Sequence, residues 1–206
     1  MARLTEFHHP ARKAPAGRDN LTMPPVSPSP APAAADSLAA PPVRVVVMGV
    51  AGCGKSAVGR LVADQLALPL IEGDDFHPTG NIRKMQQGIA LTDEDRADWL
   101  RQLGAELARH PAGVVLTCSA LKAAYRDSLR QATQGLQFVH LAISQAESLR
   151  RVSVRPGHFY PPSLVASQFE ALQDPSAEPG VLTLEGDEPL EALARRAADW
   201  LTSATR

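Results

Sequence analysis

The chain has 206 residues, 44% of them hydrophobic, which suits one packed domain with a tail and excludes a wholly disordered chain. Its 21 basic and 22 acidic side chains leave a formal net charge of −1, which argues against a nucleic-acid binder that works through bulk positive charge. No run of about 18 apolar residues is present to span a membrane, and two cysteines, Cys53 and Cys118, are too few for a disulfide scaffold and point to a reducing cytoplasm.

Residues 1–42 differ from the rest. They hold nine of the 18 prolines and ten alanines, with Phe7 as their one aromatic residue. Such a segment cannot bury enough apolar surface to offset its ordering entropy, so a disordered Pro/Ala-rich tail is expected. An organellar transit peptide and a mistaken upstream start, with Met23 as the true first residue, are two other readings of it. The chemistry is expected in residues 43–206. Removing the tail's four basic and three acidic groups leaves 17 and 19, a core charge of −2.

At Val43 the pattern changes. Val43 to Met48 (VRVVVM) is a short β-branched run, as in a strand buried on both faces. After Gly49 to Ser56 (GVAGCGKS), Val58, Leu61, Val62 and Leu66 recur at helical spacing, and Pro69 ends that helix. Leu70 and Ile71 begin a second strand, and a helical segment covers Asn81 to Gln87. Thr92 caps the next helix, with Asp95 reaching back as in a capping box, and Trp99, Leu100, Leu103 and Leu107 form its buried stripe. Val114 to Thr117 is a third strand, followed by a helix containing Leu121, Tyr125 and Leu129. Leu136 to Ile143 and Val181 to Leu184 are the fourth and fifth strands, and a last helix carries Leu190, Leu193, Ala197 and Trp200 on one side. Strands alternating with helices predict an α/β fold, a parallel sheet covered on both faces.

Gly49, Val50, Ala51, Gly52, Cys53, Gly54, Lys55 and Ser56 match G-x-x-x-x-G-K-[ST] between a strand and a helix, the setting of a phosphate-binding loop. The glycines let several N–H groups point into one concavity, and the following helix adds its positive end. Lys55 is expected to reach the β- and γ-phosphates of ATP, and Ser56 to ligate Mg²⁺. Cys53 reads as a small filler. The loop specifies a nucleoside triphosphate and leaves the acceptor open.

The acceptor is sought in Glu72 to Pro78 (EGDDFHP), just past the second strand, because ligands gather at the carboxyl ends of parallel strands. There Asp74 could orient a substrate hydroxyl or act through Mg²⁺. Asp75 has the weaker case, and His77 could hydrogen-bond a polyol. Lys84, beside Arg83, and the pair Lys122 and Arg126, placed on one helix face by their spacing of four, would suit an anionic acceptor. Arg151 and Arg155 flank a Gly/Pro-containing stretch, RPGHFYPP, and suggest a lid that brings guanidinium groups to the phosphoryl oxygens and excludes water.

Together these pieces resemble the gluconate kinases, a group of small P-loop sugar kinases related in fold to shikimate and nucleoside monophosphate kinases. The resemblance rests on MGVAGCGKS, GDDFHP, Asn81 to Met85 (NIRKM), LTDEDR with Trp99-Leu100, CSALK with Tyr125-Arg126, RPGHF, and Gln168-Phe-Glu with Leu172 to Pro175, in this order over Val43 to about Leu201. It implies a P-loop kinase fold with a five-stranded parallel sheet, helices on both faces and a small lid. It also implies ATP with Mg²⁺ as donor system, D-gluconate as acceptor, 6-phospho-D-gluconate as product, and a homodimer. By matching positions, Gly49 to Ser56 would hold ATP, Asp74 would orient the hydroxyl, and Arg151 and Arg155 would belong to the lid. Lys84, Lys122, Arg126, His77 and His158 would face gluconate. Asp98 stands where the family usually has proline, and Pro156 where a basic residue is frequent in the lid. Two other readings are a kinase for another small acid such as shikimate, and a nucleotide-binding regulatory module without catalysis; Asp74 opposite the loop speaks against the second.

Overall fold

The computed structural model describes residues 41–154 and 160–203. Five parallel strands form one sheet: β1 (Arg44–Met48), β2 (Leu70–Glu72), β3 (Val114–Thr117), β4 (Leu136–Ala142) and β5 (Val181–Glu185), in the order β2-β3-β1-β4-β5. Along β1 the side chains alternate between two cores. Val45 and Val47 join Val58, Val62 and Leu193 on one face, and Val46 and Met48 join Trp99, Leu103 and Phe138 on the other. A strand with no solvent face needs apolar residues at every position, which is why VVVM shows no alternation.

Helices α1 (Lys55–Leu66) and α7 (Leu190–Ser203) cover the first face, and α3 (Asp93–Ala108) and α4 (Ala123–Ala132) the second. The short α2 (Thr79–Gln86), α5 (Gln145–Ser153) and α6 (Val165–Ala171) lie between strands. The capping box of α3 is present: Asp95 N donates to Thr92 Oγ1 at 3.2 Å, and Thr92 N donates to Asp95 Oδ2 at 3.0 Å. Helix α1 ends at Ala67, whose left-handed backbone (φ 51°) turns the chain toward Pro69.

Four elements differ from the sequence reading. Helix α4 begins at Ala123, so Leu121 lies in the turn before it, and Lys122 caps the helix instead of lying on a shared face with Arg126. Helices α5 and α6 were not legible, because α5 buries Ser148 and Val152 and α6 buries Val165, too few apolar positions to show a period. Gly73 to Phe76 forms a 3-10 turn. Among the described residues no helix is long and apolar enough to cross a membrane.

The sheet order places β1 between β3 and β4, so the chain leaves β1 at the point where strand order reverses, the usual site of a ligand crevice. Next to it, the backbone of Gly73 lies so close to β3 that a Cβ there would sit 2.2 Å from the carbonyl oxygen of Thr117. Gly73→Ala is therefore expected to lower the unfolding free energy by about 1–3 kcal/mol, read from urea denaturation. An alanine variant as stable as the parent would contradict that close approach.

Candidate active site

The loop after β1 takes its shape from three glycines with positive φ, Gly49 (139°), Gly52 (76°) and Gly54 (100°), conformations closed to side-chain-bearing residues. Val50 and Cys53 turn their side chains into the core, so at those positions the loop offers backbone. Burial pushes the Cys53 thiol above its ordinary pKa, which suits a filler. Lys55 Nζ donates back to the carbonyls of Gly49 (3.2 Å) and Val50 (3.1 Å).

Neighbouring elements brace the loop. Ser56 Oγ donates to Glu72 Oε2 at 2.9 Å, and Thr117 Oγ1 donates to the same oxygen at 2.6 Å. The N–H of Ala51 donates to Gln168 Oε1 of α6 (2.5 Å), and its carbonyl accepts from Ser148 Oγ of α5 (2.8 Å). The N–H of Gly49 donates to the carbonyl of Ser119, at 3.3 Å.

Above the loop lies a cleft of about 260 Å³. Lys55, Ser56, Asp74, His77 and Arg151 all line it. Asp75, one residue from Asp74, is exposed. His77 stacks on Trp99, with ring centroids 4.2 Å apart and planes at 14°, and Trp99 Nε1 donates to the Gly73 carbonyl at 2.8 Å. Trp99 thus holds both the turn and the imidazole. His77 Nδ1 is buried without a hydrogen-bond partner. Burial pushes the ring's pKa down to about 4; the Asp74 carboxylate opposes this and the Arg96 charge adds to it. Arg151 is fixed by Glu147 (Nε to Oε1, 2.6 Å) and by the Gly186 carbonyl (Nη1, 2.9 Å).

The other basic residues singled out from sequence lie outside the cleft lining. Lys84 Nζ pairs with Asp95 at 2.6 Å, and Lys122 Nζ with Asp93 at 2.6 and 2.8 Å. Arg126 is the clearest correction. Its side chain is 0% exposed and all five of its N–H groups are used. Nε and Nη2 hold Glu178, Nη2 also donates to the Gln173 carbonyl (3.1 Å), and Nη1 donates to the carbonyls of Ala120 (2.8 Å) and Leu121 (2.9 Å). With its donors committed inside the fold and its side chain away from the cleft lining, Arg126 is placed as a buried strut rather than facing the cleft. Arg155 and His158, and with them Pro156, lie outside the described residues.

Sequence reasoning missed Glu72, Gln168 and Arg96. Glu72 and Gln168 act through hydrogen bonds across 16 and 117 residues, which no local pattern signals. Arg96 stood within the quoted LTDEDR segment, three residues before the buried Trp99, a spacing that places it on the same helix face.

Residues 45–179 match a family profile described as an AAA domain. The thermoresistant gluconokinase of Escherichia coli is 43% identical over 152 residues, covering 72% of this chain and 87% of that protein. The chain belongs to the gluconokinase family. The gluconokinase of Gluconobacter oxydans is 42% identical over 150 residues, covering 69% of this chain and 82% of that one. A gluconokinase crystal structure from Sinorhizobium meliloti superposes with a TM-score of 0.73 at 45% identity, covering 80% of this chain and 94% of its own. The protein is an ATP-dependent kinase with the α/β P-loop kinase fold.

Two outcomes test these assignments. Arg126→Gln leaves Glu178 with Arg130 as its remaining partner and takes donors from the carbonyls of Ala120, Leu121 and Gln173, and is expected to cost about 2–4 kcal/mol in chemical denaturation. Lys122→Ala, at an exposed pair, is expected to cost far less; equal losses would remove the strut role. For His77, folding holds the ring neutral, whereas the unfolded chain, at the ordinary value of 6.5, takes up a proton. The stability it contributes is whole above pH 6.5 and drains by up to about 3 kcal/mol as pH falls toward 4. His77→Gln is expected to flatten that slope in urea titrations; an unchanged slope would refute the buried neutral ring.

Proposed function

We propose that the chain transfers the γ-phosphoryl group of ATP to the 6-hydroxyl of D-gluconate, releasing 6-phospho-D-gluconate and ADP. The observation that carries the reading is that Lys55 and Ser56 of the phosphate loop and Asp74 of the turn after β2 line one cleft. Loop amides and the start of α1 receive the phosphates. Lys55, whose ammonium rests on two loop carbonyls, swings to the β- and γ-oxygens. Asp74 accepts the acceptor hydroxyl and aims it along the line of transfer, and the proton passes to its carboxylate as the new P–O bond forms and the bond to ADP breaks. Arg151, with Arg155, stabilises the charge on the transferring group.

The residues present also suit Mg²⁺. The Ser56 hydroxyl, backed by Glu72, and the Asp74 carboxylate in the same cleft are hard oxygen donors of the kind this ion takes along with phosphate oxygens and water. When bound, the ion neutralises charge on the β- and γ-phosphates. His77, neutral above about pH 4, lines the same cleft and presents an uncharged imidazole to a polyol. Among the described residues no group of three or more His, Cys, Asp or Glu side chains could hold a metal ion, in keeping with a metal carried largely by substrate phosphates. The reading includes a homodimer in the cytoplasm, supported by the family resemblance and by two free, buried thiols, Cys53 and Cys118, the latter pushed up to about 12 by burial.

The test is ADP release with gluconate, other aldonates and shikimate as acceptors. Gluconate is expected to be preferred. Asp74→Asn is expected to lower turnover by about 100-fold or more while ATP affinity stays within about twofold. Full turnover in this variant would exclude Asp74 from the reaction.

A further inference from the structure

Among the described residues three cations line the cleft: Lys55, Arg151 and Arg96. Lys55 and Arg151 belong to its nucleotide end, since Lys55 rests on Gly49 and Val50, and Arg151 on Gly186 beside the same loop. Arg96 enters from α3, on the side of Trp99, His77 and Asp74, where the acceptor would lie. It is the one cleft cation on that side among the described residues. Lys84 and Lys122 are paired with Asp95 and Asp93, and Arg126 has no donor to spare.

The way Arg96 is held is informative. Its Nη1 donates to the carbonyl of Leu91, and to that of Thr92 at 3.3 Å, where the chain enters α3. Its guanidinium carbon lies 5.8 Å from the centre of the Tyr125 ring. One corner of the group is thereby anchored, while Nε and Nη2 donate to no other described group. Those two N–H bonds form the parallel fork that matches a carboxylate. An arginine held at one corner, with its fork uncommitted in a half-buried cleft, is preorganised for a planar anion.

A sugar acid presents its carboxylate at the end opposite the primary hydroxyl. With the hydroxyl at Asp74 and the phosphates on the loop, the carboxylate must be bound away from the phosphates, since like charges would repel. We infer that Arg96 is the acceptor-specificity residue of this kinase, binding the substrate carboxylate through Nε and Nη2 and so selecting aldonates over neutral polyols. The inference rests on the sugar-acid kinase reading above and names the side chain that enforces it. Arg96 takes no part in the transfer itself; its contribution is to binding.

The experiment compares D-gluconate with D-gluconamide, which keeps the 6-hydroxyl and the polyol but carries a neutral amide at the other end. Wild type, Arg96→Gln and Arg96→Lys are assayed for kcat and KM with both acceptors and for KM of ATP. The wild-type enzyme is expected to favour gluconate over gluconamide by about 10- to 100-fold in kcat/KM, the range of one charge-assisted bidentate contact. In Arg96→Gln the gluconate value falls by about that factor, chiefly through KM, and the preference shrinks to about threefold or less. ATP KM stays within about twofold. Arg96→Lys keeps the charge without the fork and retains an intermediate preference. A purely structural Arg96 would depress both acceptors equally and leave their ratio at the wild-type value; that ratio in either variant overturns the inference. Should Arg96→Gln not fold, the ratio in Arg96→Lys decides, since a residue remote from the carboxylate would leave it unchanged. A wild-type enzyme that ignores gluconate but phosphorylates another acid would refute the gluconate assignment alone, and the same comparison with that acid and its amide then tests Arg96.

Discussion

The site is organised around one carboxylate. Glu72, the last residue of β2, accepts hydrogen bonds from Ser56 of the phosphate loop and Thr117 at the end of β3. One oxygen thereby gathers the carboxyl ends of three strands. The neighbouring Gly73 lets the backbone close against Thr117, at a distance where any side chain would collide. Because Asp74 follows at once, its position over the loop is set by that closure and by the Trp99 indole on the Gly73 carbonyl. Precision here comes from strand ends and a buried ring, which hold a functional group more tightly than a free loop would.

Electrostatic pairing sorts the positive charges. Three cations are committed to acidic partners outside the cleft lining, Lys84 with Asp95, Lys122 with Asp93 and Arg126 with Glu178, whereas Arg151, although held at Nε by Glu147, still lines the cleft. Lys122 and Asp93 each hold the other in its charged form, the ammonium pKa raised and the carboxyl pKa lowered mainly by their shared hydrogen bond. The acidic first turn of α3, Asp93 to Asp95, complements the helix dipole while absorbing two lysines that would otherwise compete for an anionic substrate. The cations left for phosphate and acceptor are those rooted in the loop, α5 and α3.

Sequence was most informative where local physics decides. The continuous apolar run of β1, the glycine spacing of the loop and the Thr92–Asp95 cap each require particular residues at particular offsets, so the sheet and the nucleotide half of the cleft were legible. That Asp74 and His77 would line the cleft was also legible, because position at a strand end already restricts what such residues face. It was not legible for Arg126. Spacing places that residue on a helix but does not say which side of the helix is buried, and here α4 turns it inward against Glu178, 52 residues away. Arg96 escaped for the opposite reason: an arginine in an acidic turn looks like surface decoration until Trp99, one turn on, is seen to face the cleft.

Ala120 has a left-handed backbone, φ 44°, at a position where glycine would be relaxed. Its carbonyl is gripped by Arg126, and the carbonyl of Ser119 before it receives the Gly49 amide. The strain is therefore built in at folding, before any nucleotide arrives. A rim fixed at these two residues before binding has little freedom of its own left to surrender on association.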